Sequence, residues 1–200
     1  MKMQMIKALK FLLVMTVLTG IIYPFFITGV AQLVFPVKAN GSQVMQDGKI
    51  AGSELIGQKF DSSIYFWSRP SAIDYNPIPS GASNLSLASE KLRKQVMERR
   101  TIFVTGNSVS DTSAIPNEML FASASGLDPH ISPEAALLQV ERIANYRHLD
   151  NNQKQKLLQC LQDLTQSPQF SFLGEDRVNV LLLNLELDKH FKNIKIPVKN

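Results

Sequence analysis

The chain has 200 residues, 44% apolar and 19% charged, which is enough apolar surface for one compact domain and excludes a disordered polyelectrolyte. A single cysteine, Cys160, excludes an intrachain disulfide framework and a four-cysteine zinc site. The net charge is +4, but three of the 21 Lys+Arg (Lys2, Lys7, Lys10) lie before residue 36, no acid precedes Asp47, and from residue 36 onward 18 Lys+Arg face 17 Asp+Glu; so neutral a body lacks the electrostatic footprint of a nucleic-acid binder.

The first element is an uncharged run, Phe11 to Ala31. Its twenty-one residues match the ~20 a helix needs to cross a bilayer and exceed the ~7–15 apolar residues of a cleavable leader. Val37-Lys38-Ala39 has the small-residue look of a cleavage site, yet the length favours a retained anchor. Pro24 falls mid-span, where neighbouring groups re-satisfy the carbonyl it frees, and Gly20 and Gly29 offer close approach to another helix. Three lysines precede the run and Lys38 follows it, so the positive-inside rule places the N-terminus in the cytoplasm and the body outside. The expected organisation is therefore residues 1–35 as a cytoplasmic N-terminus and single-pass anchor in the plasma (inner) membrane, and 36–200 as an extracytoplasmic domain.

Asn40-Gly41-Ser42 reads as a turn. Glu54-Leu55-Ile56 and Ile64-Tyr65-Phe66-Trp67 suit short strands. Residues 69–85, with three prolines and a Ser-Gly-Ala-Ser-Asn tract, cannot hold a helix; Tyr75 and Ile78 give this loop something to pack. Leu85, Ala88, Leu92 and Val96 keep helical spacing, predicting an amphipathic helix over 85–100 with Lys91, Arg93, Lys94, Arg99 and Arg100 on its wet face. Gly106 to Thr112 reads as a polar turn, Met119-Leu120-Phe121 as a strand, and 125–131 as a loop. Ser132-Pro133-Glu134 is a helix start, running to about Arg147. Asp150 caps a second helix with Leu157, Leu158, Leu161 and Leu164 as its stripe, ended by Ser167-Pro168. Val178 to Asp188 changes phase near Leu182-Leu183; a bulged strand fits and a buried helix competes. The tail after Lys189 is basic. The sum is an α+β fold: one membrane helix followed by a single domain of a few helices and short strands.

No phosphate loop, dinucleotide fingerprint, His-Glu-x-x-His, Ser-x-x-Lys or Gly-x-Ser-x-Gly occurs, and no metal set is expected. Ser125, Asp128 and His130 share a loop, but triads are built by folds and rarely by sequence neighbours; side-chain bracing is the plainer reading. Gln139 and Arg142, three apart on one helix, share a face, and most such pairs are solvated.

Three ordered blocks carry a resemblance. The first runs Phe66-Trp-Ser-Arg-Pro-Ser-Ala72, Tyr75-Asn-Pro77 and Ser80-Gly-Ala-Ser-Asn-Leu85. The second is Ala122-Ser-Ala-Ser-Gly-Leu-Asp128 with Ile131, Ala135-Ala136, Gln139 and Arg142. The third is Gly174, Val178-Asn-Val180, Leu183-Asn-Leu185 and Leu187-Asp188. With the N-terminal span they resemble the family of C subunits of the bacterial Kdp potassium-transporting P-type ATPase, over essentially the whole chain. The resemblance implies an accessory subunit of a high-affinity, ATP-driven potassium uptake complex, with no catalytic site or cofactor of its own. Its partners would be a P-type catalytic subunit, a channel-like potassium-selecting subunit and a small membrane subunit, besides membrane lipid. It implies a catalytic chaperone that raises ATP affinity, with Gln139 as the nucleotide contact. Arg69, Tyr75, Asn76, Asn84, Asp128 and Arg142 are the candidates for partner docking. The lysine asymmetry pulls against nucleotide contact, since it puts Gln139 outside the cell; docking over the potassium entrance then fits better. A stand-alone membrane-anchored envelope enzyme or binding protein is the alternative.

Overall fold

In the computed structural model, which describes residues 2–110 and 114–191, the chain divides into two compact units, 1–44 and 45–200. The first is a helix, α1 (Lys2–Val17) and α2 (Tyr23–Val34), joined by a π-helical turn at Leu18–Ile22. The turn has a local cause. Pro24 has no N–H and its ring crowds the carbonyl four residues back, at Gly20. Widening the helix there lets the Tyr23 N–H reach the Leu18 carbonyl instead. The continuous helix spans 33 residues with none of its apolar window buried, and it is long and apolar enough to cross a membrane. A short helical turn, α3 (Pro36–Ala39), follows.

β1 (Gln43–Gln46) and β2 (Lys49–Ser53) form a hairpin, closed by Asp47 and Gly48 at φ 50° and 77°, the geometry that favours an Asp-Gly turn. Among the described residues, the body then assembles around four helices and a small sheet. These are α4 (Glu90–Asn107), α5 (Pro133–Tyr146), α6 (Asn151–Asp163) and α7 (Val180–His190). β3 (His130–Ile131), β4 (Thr165–Gln166) and β5 (Arg177–Asn179) pair antiparallel in the order β3-β5-β4. His130 lies opposite Asn179, and Thr165 opposite Val178.

The helix starts follow the caps. Ser132 accepts from the Ala135 N–H ahead of Pro133, and Asp150 with Gln153 forms a reciprocal capping box. The core holds Phe66, Phe103, Ile131, Ala135, Ala136, Val140, Ile143, Leu157, Leu161, Val178, Leu183 and Leu187. Each fully buried leucine there stabilises the fold by about 2 kcal/mol. Ala135 and Ala136, both wholly buried, keep the start of α5 thin enough for its neighbours to close in.

Five expectations change. The helix expected at 85–100 begins only at Glu90, where Ser89 caps it, and continues to Asn107, so Gly106 is helical; a Cβ on Gly106 would come within 2.5 Å of the Trp67 ring. Residues 54–56 and 64–67 are not strands. Residues 119–121, expected as a strand, instead finish and follow a 3-10 turn at Asn117–Met119. The 178–188 segment is neither of its two candidates alone. It is a short strand to Asn179 and then helix α7, with the Asn179 side chain capping the Leu182 N–H. The turn expected to reach Thr112 and the basic tail lie partly outside the described residues.

Candidate functional site

Residues 62–68 have no regular structure, yet Phe66 is fully buried. Buried backbone polar groups need partners, and here side chains from distant elements supply them. Asn184 on α7 accepts from the Phe66 N–H at 2.8 Å and donates to the Phe66 carbonyl at 3.0 Å. Gln139 on α5 treats the next residue the same way, accepting from the Trp67 N–H at 2.7 Å and donating to its carbonyl at 3.4 Å. Each amide thus replaces one rung of a sheet.

Gln139 has no further capacity. Its Nε2 also donates to the Ala135 carbonyl at 3.1 Å, and its Oε1 also accepts from Arg142 at 2.8 Å; an amide has two donors and two acceptor sites. The side chain is completely buried.

Arg142, only 3% exposed, makes no ion pair with a carboxylate among the described residues. Its Nε donates to Asn107 Oδ1 at 2.8 Å and its Nη1 to the Ser63 carbonyl. Its guanidinium lies 4.1 Å from the centroid of the Trp67 ring, a stacked cation–π arrangement. Burial pushes its pKa down to about 10, so it stays a cation at neutral pH. At the end of α5, the C-cap residue Arg147 donates to the Ile64 carbonyl at 2.8 Å and to Asp188 at 2.6 Å. Tyr65 donates to the same carboxylate at 2.8 Å. Burial, then the hydrogen bond to Asp188, raises the Tyr65 pKa.

A second cluster pins the 69–85 loop. Arg69 pairs with Asp128 at 2.6 Å, and the other Asp128 oxygen accepts from the His130 N–H at 3.0 Å. Burial pushes the Asp128 carboxyl up, but the hydrogen bonds from His130 and the Arg69 charge outweigh it and hold it below its ordinary value. Tyr75 donates its hydroxyl to the Arg69 carbonyl, and burial pushes that phenol up to about 12. Backbone bonds tie the loop down: Ser123 N–H to the Pro70 carbonyl at 3.1 Å, Gly81 N–H to the Ser125 carbonyl at 3.0 Å. Gly57, whose N–H donates to the Leu127 carbonyl at 2.8 Å, approaches so closely that a Cβ would sit 2.6 Å from the Asp128 carbonyl oxygen.

The structure therefore sorts the sequence candidates into groups. Arg69, Tyr75 and Asp128 form the loop brace. Asn76 is exposed at the loop tip, where its Oδ1 accepts from the Ile78 N–H. Asn84 is exposed at φ 51°. Arg142 and Gln139 meet each other inside the body, where a solvated pair had been the default. Ser125 accepts from the Leu127 N–H at 3.1 Å, and among the described residues no hydrogen bond joins it to His130. No group of three or more His, Cys, Asp and Glu is placed to hold a metal among the described residues. Asn107, Arg147 and Asn184 are the functional-site residues that the sequence reading missed. The available signal was an asparagine inside a leucine run, since a buried amide must be bonded.

Comparison with known proteins adds the family. A family model described as "KdpC: K+-transporting ATPase, c chain" matches residues 5–189. A potassium-transporting ATPase KdpC subunit from Leptospira interrogans is 45% identical over 184 residues, 92% of this chain and 93% of that protein. The protein of the same name from Caldanaerobacter subterraneus is 44% identical over 190 residues, 94% and 96% of the two chains. That from Mycobacterium bovis is 42% identical over 191 residues, covering 94% of this chain and 100% of its own.

Proposed function

This chain belongs to the KdpC family, the c chain of the K+-transporting ATPase, and from that premise we propose that it acts as a docking subunit rather than a nucleotide-binding one. The helix Lys2–Val34 anchors it, with the N-terminus in the cytoplasm and the body outside, as the lysines on either side of the span favour. The body docks on partner subunits over the potassium entrance, using the braced surface around Arg69, Asp128, Tyr75, Asn76 and Asn84. ATP is bound and hydrolysed by the P-type partner.

The observation that carries this reading is the state of Gln139. Its amide is completely buried and all four of its hydrogen-bonding positions are filled by the fold. A chaperone-like rise in the partner's ATP affinity is then a coupling energy passed through the complex, of order 1–3 kcal/mol. Gln139 and Arg142 serve it by holding Trp67 and the strand-like segment in place.

Deleting this chain tests the role. Growth should fail in micromolar potassium and stay normal in millimolar potassium. Equal growth of deleted and intact strains at low potassium contradicts it.

A further inference from the structure

The segment between β4 and β5 contributes nothing to the core, yet its shape is fixed. Gln169 and Leu173 exchange both backbone hydrogen bonds, at 3.0 and 2.9 Å, across a three-residue tip. Phe170 and Ser171 sit at φ 53° and 66°. That left-handed region is unfavourable for L residues and most unusual for a bulky one, and glycine or asparagine normally fills it. The tip presents Phe170 at 81%, Phe172 at 74% and Leu173 at 50% exposure, the two rings 6.5 Å apart. It is mounted on a rigid base, since Val178 and Asn179 of β5 are buried. A strained backbone that holds two aromatics out in solvent points to use by something outside the fold.

Charge selects the occupant. Glu175 and Asp176 follow the tip after Gly174 and are both exposed, and among the described residues neither makes an ion pair. An anionic lipid surface repels such a rim. A second copy docked tip to tip would bring like carboxylates together, because a two-fold contact repeats the same patch. A protein pocket with an apolar floor and Lys or Arg at its edge satisfies both features. The rings bury roughly 150–250 Å² each, less than the ~800 Å² per partner of a full interface, so the tip is an aromatic anchor inside a larger contact.

We propose that the Phe170–Leu173 tip is an anchor that inserts into an apolar, basic-rimmed pocket on another protein subunit of the same complex. This rests on the chain being a subunit of such a complex.

The test uses the full-length tagged chain, co-expressed with its partner subunits and purified in mild detergent. A photoreactive phenylalanine analogue replaces Phe170 or Phe172, with Lys156, exposed on α6, as the control position. Irradiation should crosslink the tip positions, but not the control, to a different subunit. Adducts with lipid alone, adducts with a second copy of this chain, or a yield no greater than at Lys156 overturn the proposal. The double variant Phe170→Ser/Phe172→Ser should lower the partner retained by at least tenfold while leaving the unfolding temperature of the chain unchanged; full retention overturns the proposal. Failure of the unmodified chain to bring any partner, checked before irradiation, removes the subunit reading and the anchor with it.

Discussion

Two stretches of this body lack regular structure and are rich in aromatics: Tyr65-Phe66-Trp67, and Phe170 with Phe172. In the first, side-chain amides and guanidinium groups hold the backbone in place of a sheet. In the second, a closed hairpin holds its own backbone and its rings face water. Apolar content does not distinguish them. The difference is where the backbone hydrogen bonds go: the inner segment depends on Gln139, Arg142, Arg147 and Asn184, whereas the outer tip is self-contained. Changes to the inner segment should therefore cost stability, and changes to the outer one only association.

The largest expected effect is Arg142→Ala. It strands the half-buried Ser63 carbonyl, the buried Asn107 Oδ1 and one site on the buried Gln139, and removes the cation from the Trp67 ring. Urea unfolding should show a loss of about 3 kcal/mol, and Trp67 emission should change in the native state. A loss below about 0.5 kcal/mol would mean that the guanidinium is dispensable. Gln139→Ala and Asn184→Ala should each cost about 2 kcal/mol for the backbone groups they unpair, and partner retention should fall only as far as folding does.

The loop brace lies between the two extremes, and its prediction is one of pH. Asp128 has its carboxyl held below its ordinary 3.8 in the folded chain. Its contribution is present above 3.8 and lost as pH falls below that through the lower folded value. Tyr75 is raised from 10.0 to about 12, so the folded state favours its neutral form. That contribution is present below pH 10 and lost between 10 and 12. Proteolysis within residues 69–85 should accelerate on both limbs. Tyr75→Phe should flatten the alkaline limb alone, and Asp128→Asn the acid limb alone. Matching profiles in the variants and the parent would assign the titration elsewhere.

The smallest effect belongs to the outer tip. Ser171→Gly keeps both rings and relieves one left-handed residue, so stability should hold or rise by about 0.5–1 kcal/mol. A loss of more than 1 kcal/mol would show that the tip supports the fold after all.

Much of this architecture is legible in the sequence because it is local. The uncharged run Phe11–Ala31 marks the long apolar helix Lys2–Val34, and Ser132-Pro133-Glu134 and Asp150 mark the starts of α5 and α6. What is not legible depends on partners far away in the chain. Ile64 to Trp67 has the composition of a strand, but the groups that pair with Phe66 and Trp67 are side chains 118 and 72 residues later, and no local pattern encodes them. Gln139 and Arg142 follow the same logic: their spacing puts them on one face, while only the packed fold decides that this face is inside. The strand-to-helix change at Asn179 explains the phase shift that made 178–188 ambiguous. One residue ends β5 and caps α7, and its Nδ2 also reaches the Glu54 carbonyl at 2.8 Å.

The most direct test of the central claim is purification of the unmodified, C-terminally tagged chain from membranes in mild detergent, followed by identification of what accompanies it. A P-type ATPase subunit and a large polytopic subunit should appear in fixed proportion to the chain, and the proportion should survive removal of nucleotide. A chain that emerges alone, or whose partners leave when nucleotide is removed, would contradict the docking account.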